Sequence, residues 1–266
     1  MKFDISNKDL TTLEGIEFPK GITELKCDSN QLTSLKGCPN TVQILKCDSN
    51  RIISLEGCPD TVKILTCSFT ELKSLQYCPL SVQILNCSYN GLTSLQYCPL
   101  SVQTLNCSYT GLTSLQYCPP SVQKLDCSGN RLTSLEYCSP NVKNLKCDNN
   151  MLTSLQYCPP LVHCLHCYDN QLTSLQYCPL SVRELLYGYN PVNEEYQNET
   201  IERIHQINII KRYRRGIQIL NNIILNHKAQ HIQRVWDQYW YQPNDQGISR
   251  HGLRGLKDYQ EYIESK

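Results

Sequence analysis

The sequence predicts an α/β-type repeat solenoid that carries an α-helical tail at its C-terminal end. Three observations predict it. The 266-residue chain is self-similar at a period of 20 residues as far as about residue 190. Within each period the apolar residues hold fixed positions, two of them cysteine. Beyond residue 190 the period and the cysteines both stop, and isoleucines return at a spacing of three to four.

The unit is clearest in Val82-Gln83-Ile84-Leu85-Asn86-Cys87-Ser88-Tyr89-Asn90-Gly91-Leu92-Thr93-Ser94-Leu95. Numbered from Val82, apolar residues fall at positions 1, 4, 6, 11 and 14, with Asn at 9. The match restarts at Ile22, Val42, Val62, Val82, Val102, Val122, Val142, Val162 and Val182, which makes nine coils. A degenerate half-unit precedes them, with Phe3, Ile5 and Leu10 aligned to Leu25, Cys27 and Leu32. Positions 4 and 6 are expected to point inward from a short strand, and 3, 5 and 7 outward. Stacking sets these strands ~4.8 Å apart as a parallel sheet.

Asn at position 9 stands where the strand must turn. Its amide can satisfy backbone groups of its own coil and of the next, forming a ladder. Thr70 and Thr110 replace it twice, so those coils are expected to be locally weaker. The return segment, such as Leu95-Gln96-Tyr97-Cys98-Pro99-Leu100-Ser101, is too short for a helix, and its Pro favours an extended, polyproline-like course.

These units resemble the leucine-rich-repeat signature LxxLxLxxNxL, with Cys in place of the third Leu. The resemblance implies a horseshoe with a concave parallel sheet and an extended convex side over residues 1–190, followed by a helical cap or tail over 191–266. Short coils with Pro on the convex side are similar to those of bacterial secreted effectors. The Pro-x-Ser-Val-x-x-Leu phrase resembles the FNIP repeats of amoebae and giant DNA viruses. Taken together, the chain resembles the leucine-rich-repeat proteins of the giant DNA viruses (Mimiviridae).

Composition points the same way. The net charge is +1 and 18% of residues are charged, so no global signal for nucleic acid is present. Residues 1–190 hold 14 Lys+Arg against 15 Asp+Glu, and residues 191–266 hold 11 against 9, a difference too small to name a partner. No basic segment with an apolar run follows Met1, and no stretch approaches the ~18 apolar residues of a membrane span. An intracellular protein is therefore expected, in the host cytoplasm if viral. That matters for its 17 cysteines, which are then expected as thiols.

Sixteen of the cysteines form two series at the repeat period, Cys27 to Cys167 at position 6 and Cys38 to Cys178 at position 17. Metal, disulfide and buried thiol are the three readings. Neighbours in a ladder stand ~4.8 Å apart, within disulfide range, but parallel side chains hold the Cβ atoms apart and a line of thiols does not converge on an ion. The buried thiol is the favoured reading. Cys164 is the exception: at position 3 it faces outward, as does His166 at position 5. This pair is the weak metal candidate. Lys143, Asn144, Lys146, Asp148, Arg183 and Glu184 on the adjoining coils make a poor zinc shell, so a solvated polar surface is favoured, and no cofactor is expected. A nucleophilic Cys–His reading lacks an orienting third group.

Outward positions that packing does not dictate are the informative ones. Position 3 reads Ile44, Ile64, Ile84 and Thr104 in coils 2–5, and position 8 reads Phe69, Tyr89 and Tyr109 in coils 3–5. Uncharged Thr66, Asn86, Asn106, Ser68, Ser88 and Ser108 lie between, and charges gather toward both ends. An apolar, aromatic centre with a charged margin is the composition of a protein-binding patch. The competing reading is β-propensity alone, copied by duplication. A second periodic row, Tyr77 to Tyr177 at position 16, is expected to cover the core edge on the convex side.

In the tail, Ile201, Ile204, Ile207, Ile210, Ile217, Leu220 and Ile224 predict one helix near 199–214 and another near 216–240, with Gly216 at the break and a loop at Pro243, Asn244, Asp245 and Gly247. The first helix is expected to cap the solenoid. Lys211-Arg212-Tyr213-Arg214-Arg215 reads as a solvated basic face. Ala229 to Trp240, centred on Ile232-Gln233, resembles a calmodulin-binding IQ motif, departing from it where Asp237-Gln238 replaces the expected Arg-Gly.

No phosphate loop, carboxylate pair or nucleophile elbow appears, so the function expected is a non-enzymatic protein-binding scaffold, with a host protein as one partner class. A ubiquitin-ligase adaptor and a passive structural role are the alternatives. Bacterial effectors with similar repeats carry a ligase Cys beyond them, which this tail lacks, and the repeats begin too near Met1 for an F-box upstream.

Overall fold

The computed structural model describes residues 1–241, apart from the side chains of Ile232, Val235 and residues 236–241. Ten three-residue strands follow one another in a single parallel sheet, in sequence order. They are β1 (Lys2–Asp4), β2 (Glu24–Lys26), β3 (Ile44–Lys46), β4 (Ile64–Thr66), β5 (Ile84–Asn86), β6 (Thr104–Asn106), β7 (Lys124–Asp126), β8 (Asn144–Lys146), β9 (Cys164–His166) and β10 (Glu184–Leu186). The degenerate half-unit thus supplies a strand of its own, and the nine coils supply the rest. Every strand pairs with the equivalent residues of the next, so Ile44, Ile64, Ile84 and Thr104 stand side by side. Pairing continues beyond the strands, as Cys87 N donates to Asn106 O (2.9 Å) and Tyr89 N to Ser108 O (2.9 Å).

The interior is the sequence pattern made solid. Val82, Leu85, Cys87, Leu92 and Leu95 are all buried, as are their equivalents in the other complete coils up to Cys167 and Leu175. Each buried Leu contributes about 1.5–3 kcal/mol, and each coil buries its interior against its neighbours. The position-6 thiols lie in this interior and donate across the coil boundary, for example Cys47 Sγ to Thr66 O (3.2 Å) and Cys147 Sγ to His166 O (3.3 Å). Desolvation pushes these thiols far up, and those of Cys38 and Cys78 at position 17 up to about 12. At neutral pH they stay protonated and unreactive.

The Asn ladder runs backward rather than forward. Asn50 Nδ2 donates to Cys47 O of its own coil and to Cys27 O of the preceding one (both 3.0 Å), while its Oδ1 accepts from Leu32 N (3.0 Å). The reason is where the chain has free groups: the carbonyl that ends one strand is left for the following coil's amide to cover. Thr70 and Thr110 are too short for this. Their hydroxyls lie instead against Oδ1 of Asn90 (2.6 Å) and Asn130 (3.0 Å) in the coil after them. A second ladder, on the return side, joins Ser101 Oγ to Leu80 O and Val82 O (both 2.6 Å) and recurs at Thr61, Ser81, Ser121 and Ser181.

The return arm carries no helix. Two tight turns occupy it, closed by Cys78 N on Leu75 O (2.9 Å) and Val82 N on Pro79 O (3.1 Å). The first turn needs a left-handed residue at position 16. Tyr77, Tyr97, Tyr117 and Tyr137 adopt it with φ of 66 to 70°, and their rings are more than half exposed rather than folded over the core edge. At Gly57 a side chain is excluded, since a Cβ would stand 2.6 Å from Lys36 N.

The chain divides between Asn208 and Ile209 into two compact units. At the end of the first, the terminal coil is closed by a 3-10 turn (Glu194–Tyr196) and the opening of helix α1 (Ile201–Tyr241). Thr200 Oγ1 accepts from Arg203 N (3.3 Å), the usual capping bond of a helix start. Tyr196, Ile204 and Asn208 are fully buried. Asn208 accepts from Tyr196 OH (2.9 Å) and donates to Leu175 O (2.8 Å), so the cap is polar-bonded as well as apolar. In the second unit α1 continues without a break through Gly216, where two helices were expected. A single interior Gly costs about 1 kcal/mol but removes no backbone hydrogen bond, so it does not end a helix. Ile209, Ile210, Ile217, Leu220 and Ile224 are exposed along this segment. The loop expected at Pro243, Asn244, Asp245 and Gly247 lies outside the described residues, as do the side chains of Ile232, Trp236 and Trp240. Among the described residues no helix is long and apolar enough to cross a membrane.

Candidate protein-binding face

Position 8 follows each strand at a sharp turn, and in all nine coils its backbone is left-handed, with φ between 51 and 64°. Ser29, Ser49, Asn149, Asp169 and Gly129 fill this place in five coils. Asn, Asp and Gly tolerate it; bulky residues rarely do, at a cost of about 1–2 kcal/mol each. Phe69, Tyr89 and Tyr109 adopt it nonetheless, with φ of 53, 54 and 52°. Their rings then lie face to face. Phe69 and Tyr89 stack with centroids 4.1 Å apart and Tyr89 and Tyr109 with centroids 4.6 Å apart, each pair 9° from parallel. The three remain 42 to 55% exposed, so the stack is a surface rather than a piece of core.

Gly129 ends the stack. A Cβ there would fall 2.4 Å from the Tyr109 ring, so the absence of a side chain in coil 6 is what lets that ring lie flat. Beneath the row, Ser68, Ser88 and Ser108 at position 7 are buried, not outward as the alternation implied. The left-handed turn breaks the two-residue alternation of the strand, and the larger neighbours cover the small side chains. Their hydroxyls bond internally: Ser88 Oγ to Asn86 Oδ1 and Ser108 Oγ to Asn106 Oδ1 (both 2.8 Å), and Ser68 Oγ to Asp48 Oδ1. These serines support the face and offer nothing to a partner. At the same position in coil 7 stands Asp148, buried, with its carboxyl raised above the usual range by desolvation and accepting from Tyr168 N (3.1 Å).

Among the expected patch residues, two rows are therefore present. Ile44, Ile64, Ile84 and Thr104 form one along the sheet, with Ile84 39% exposed and the other three partly buried. Phe69, Tyr89 and Tyr109 form the other. The position-5 residues Thr66, Asn86 and Asn106 lie between the rows along each coil. Lys124, Asp126, Asn144 and Lys146 continue the same two sheet positions with charge and amide groups. A groove of about 630 Å³ lies away from the patch at the C-terminal end, lined by Leu186, Tyr189 and Asn198 among others.

The ten-strand parallel stack, its 20-residue coils and its Asn ladder settle the architecture. Its fold is that of a leucine-rich-repeat solenoid. Solved structures of this kind are similar to it. YopM from Yersinia enterocolitica WA-314 matches with 27% identity and a TM-score of 0.59, over 67% of this chain and 44% of YopM. The functional domain of InlJ from Listeria monocytogenes, described as including a cysteine ladder, matches with 26% identity and a TM-score of 0.61, over 76% of this chain and 46% of that one. The leucine-rich-repeat domain of APL1, at 21% identity and a TM-score of 0.51, shares the fold. The chain thus spans less than half the length of YopM and InlJ. No protein-family model and no curated protein matches it.

The cysteine ladder of this leucine-rich-repeat solenoid is continuous through the interior. Cys164 stands apart from it, partly exposed on β9, with its Sγ 3.4 Å from His166 Nε2 and the carboxylate of Glu184 on β10 beside them. Sequence reasoning named Cys164 and His166 as a pair and counted Glu184 only as a neighbour. The register that pairs Glu184 with Cys164 is what completes the group. The aromatic stack was likewise legible as a row, but its left-handed backbone and its end at Gly129 were not.

Proposed function

We propose that this chain is a non-enzymatic protein-binding scaffold that holds its partner on the concave sheet face of coils 2–5. The observation that carries this reading is the aromatic stack. Three bulky residues in consecutive coils occupy left-handed turns that Ser, Asn, Asp and Gly fill in five of the other six coils, with Tyr189 in the ninth. They do so at an energetic cost, and remain exposed. Left-handed tyrosines also stand singly in the return-arm turns; what sets these three apart is that their rings stack into one exposed surface, and strain held at such a cluster supports a functional reading. β-propensity accounts for the Ile row but does not account for Phe69, Tyr89 and Tyr109, which are not in strands.

The two rows suit an extended or helical segment that brings apolar side chains, with Ile64, Ile84 and Tyr89 at the centre where binding energy concentrates. The similar solved structures support a protein-binding repeat in general terms. A host protein as partner, and a site in the host cytoplasm, rest on the sequence resemblance to giant-virus repeats. The test is affinity capture from the producing cell with wild-type protein beside an Ile64→Glu/Ile84→Glu variant. Loss of specific partners from the variant, with unchanged circular dichroism and melting, is the expected result. Equal capture by both proteins would discard this face.

A further inference from the structure

The concave face carries a second feature at the other end of the sheet. Cys164 and His166 leave β9 on the same side, two residues apart, and Glu184 leaves β10 at the position paired with Cys164. Their ligand atoms, Sγ, Nε2 and a carboxylate oxygen, all lie within 4.8 Å of one another. Sγ is 3.4 Å from Nε2, and Nε2 is 3.3 Å from Glu184 Oε1. We propose that Cys164, His166 and Glu184 form a binding site for a zinc-class divalent cation, with a fourth position open to water.

Three arguments carry it. The first is directional. One ring nitrogen faces both the thiol and the carboxylate, yet an imidazole nitrogen has a single in-plane lone pair or proton and serves one of them well. An ion lying between the three groups serves all of them. The second is metric. With Zn–S ≈ 2.3 Å, and Zn–N and Zn–O ≈ 2.05 Å, a tetrahedral centre requires S···N edges of ~3.6 Å and N···O edges of ~3.3 Å. The two separations that involve His166 Nε2 lie within 0.2 Å of these, and the Cys164 and Glu184 ligand atoms lie within 4.8 Å of each other. A charge-assisted N–H···O bond would instead draw nitrogen and oxygen to about 2.7–2.9 Å. The third is chemical. A thiolate, an imidazole and a carboxylate together suit borderline-soft Zn²⁺ and not oxygen-seeking Ca²⁺ or Mg²⁺.

The site's surroundings fit a single ion. Lys146 on β8 pairs with His166 and adds one positive charge at the margin. Binding breaks the Cys164 S–H bond, forms the metal–sulfur bond and releases the proton to solvent. The other sixteen thiols lie along two lines and offer no second arrangement of this kind. Among the described residues this is the one group of three or more His, Cys, Asp or Glu side chains with converging ligand atoms.

The experiment is a Co²⁺ titration of the full chain, reduced and stripped of metal, followed by Zn²⁺ displacement. Expected are one equivalent of bound Co²⁺, a thiolate-to-cobalt charge-transfer band, and loss of that band on adding Zn²⁺. Cys164→Ser should abolish the band, and Glu184→Gln should weaken binding by roughly tenfold or more. As a second readout, saturating Zn²⁺ should raise the melting temperature of wild type and leave that of Cys164→Ser unchanged. All three residues are partly or fully exposed, so the variants are expected to keep the wild-type circular dichroism. The proposal is overturned by absence of saturable binding, by a band that survives in Cys164→Ser, or by affinity indifferent to Glu184→Gln.

Discussion

Coils 2–5 and coils 6–9 carry different faces over an interior that is the same through coil 8. Leu85 of coil 4 and Leu145 of coil 7 are equally buried, each at position 4 and each flanked by Leu in the adjoining strands. On the sheet face above them the first set shows Ile, Thr and stacked rings, and the second shows Lys, Asp, Asn and the Cys164–His166–Glu184 group. The core of a solenoid coil must mesh with two neighbours at once, so one residue choice is repeated. The face answers to no neighbour and is free to differ. What differs between the halves is therefore the best record of what each does.

The largest effect tests the shared half of this comparison. Leu85→Ala and Leu145→Ala should each destabilise by about 2–5 kcal/mol, to within about 1 kcal/mol of one another, in urea unfolding followed by circular dichroism. A large disparity would show that the two halves are not equivalent inside.

A smaller effect tests the junction at coil 6. Gly129→Ala puts a Cβ against the Tyr109 ring, at a left-handed position, and should cost about 1–3 kcal/mol. Gly91→Ala in coil 4, whose Cβ meets nothing nearer than 3.5 Å, should cost less. Adding Tyr109→Ala to Gly129→Ala should restore part of the loss, because the ring is what the new methyl displaces.

The smallest effect on stability is the most informative about function. Tyr89→Asn removes the middle ring and relaxes its backbone at the same time. Stability should change by less than about 2 kcal/mol, since the two lost stacked pairs, about 0.5–1.5 kcal/mol each, are offset by relief of about 1–2 kcal/mol of left-handed strain. Partner capture should fall. A variant that is markedly destabilised would instead make the stack a structural device, and would remove the main support for a binding face.

The sequence by itself determined the parts that repeat. A strict 20-residue period with apolar residues at positions 1, 4, 6, 11 and 14 leaves one arrangement in which each is buried, and that arrangement has ten parallel strands, an interior thiol line at position 6 and a second line, half of it only partly buried, at position 17. It also determined that the chain changes character near residue 190, because the 20-residue unit does not restart after the coil that begins at Val182. The tertiary structure decided whatever depends on turn geometry or on a neighbouring coil. Alternation carried past the strand end would turn Ser88 outward, but the left-handed turn at Tyr89 buries it. The direction of the Asn50 bond follows from which carbonyl the stacking leaves free. Gly216 was legible as a break only if local cost outweighed helix continuity, and it does not. Cys164 and His166 could be read as a pair from one strand, whereas Glu184 joined them only through the register of β9 with β10. Periodicity records which residues face the interior, because burial acts on every coil alike. It is silent on what the coils bring together on the surface, because those contacts are made once.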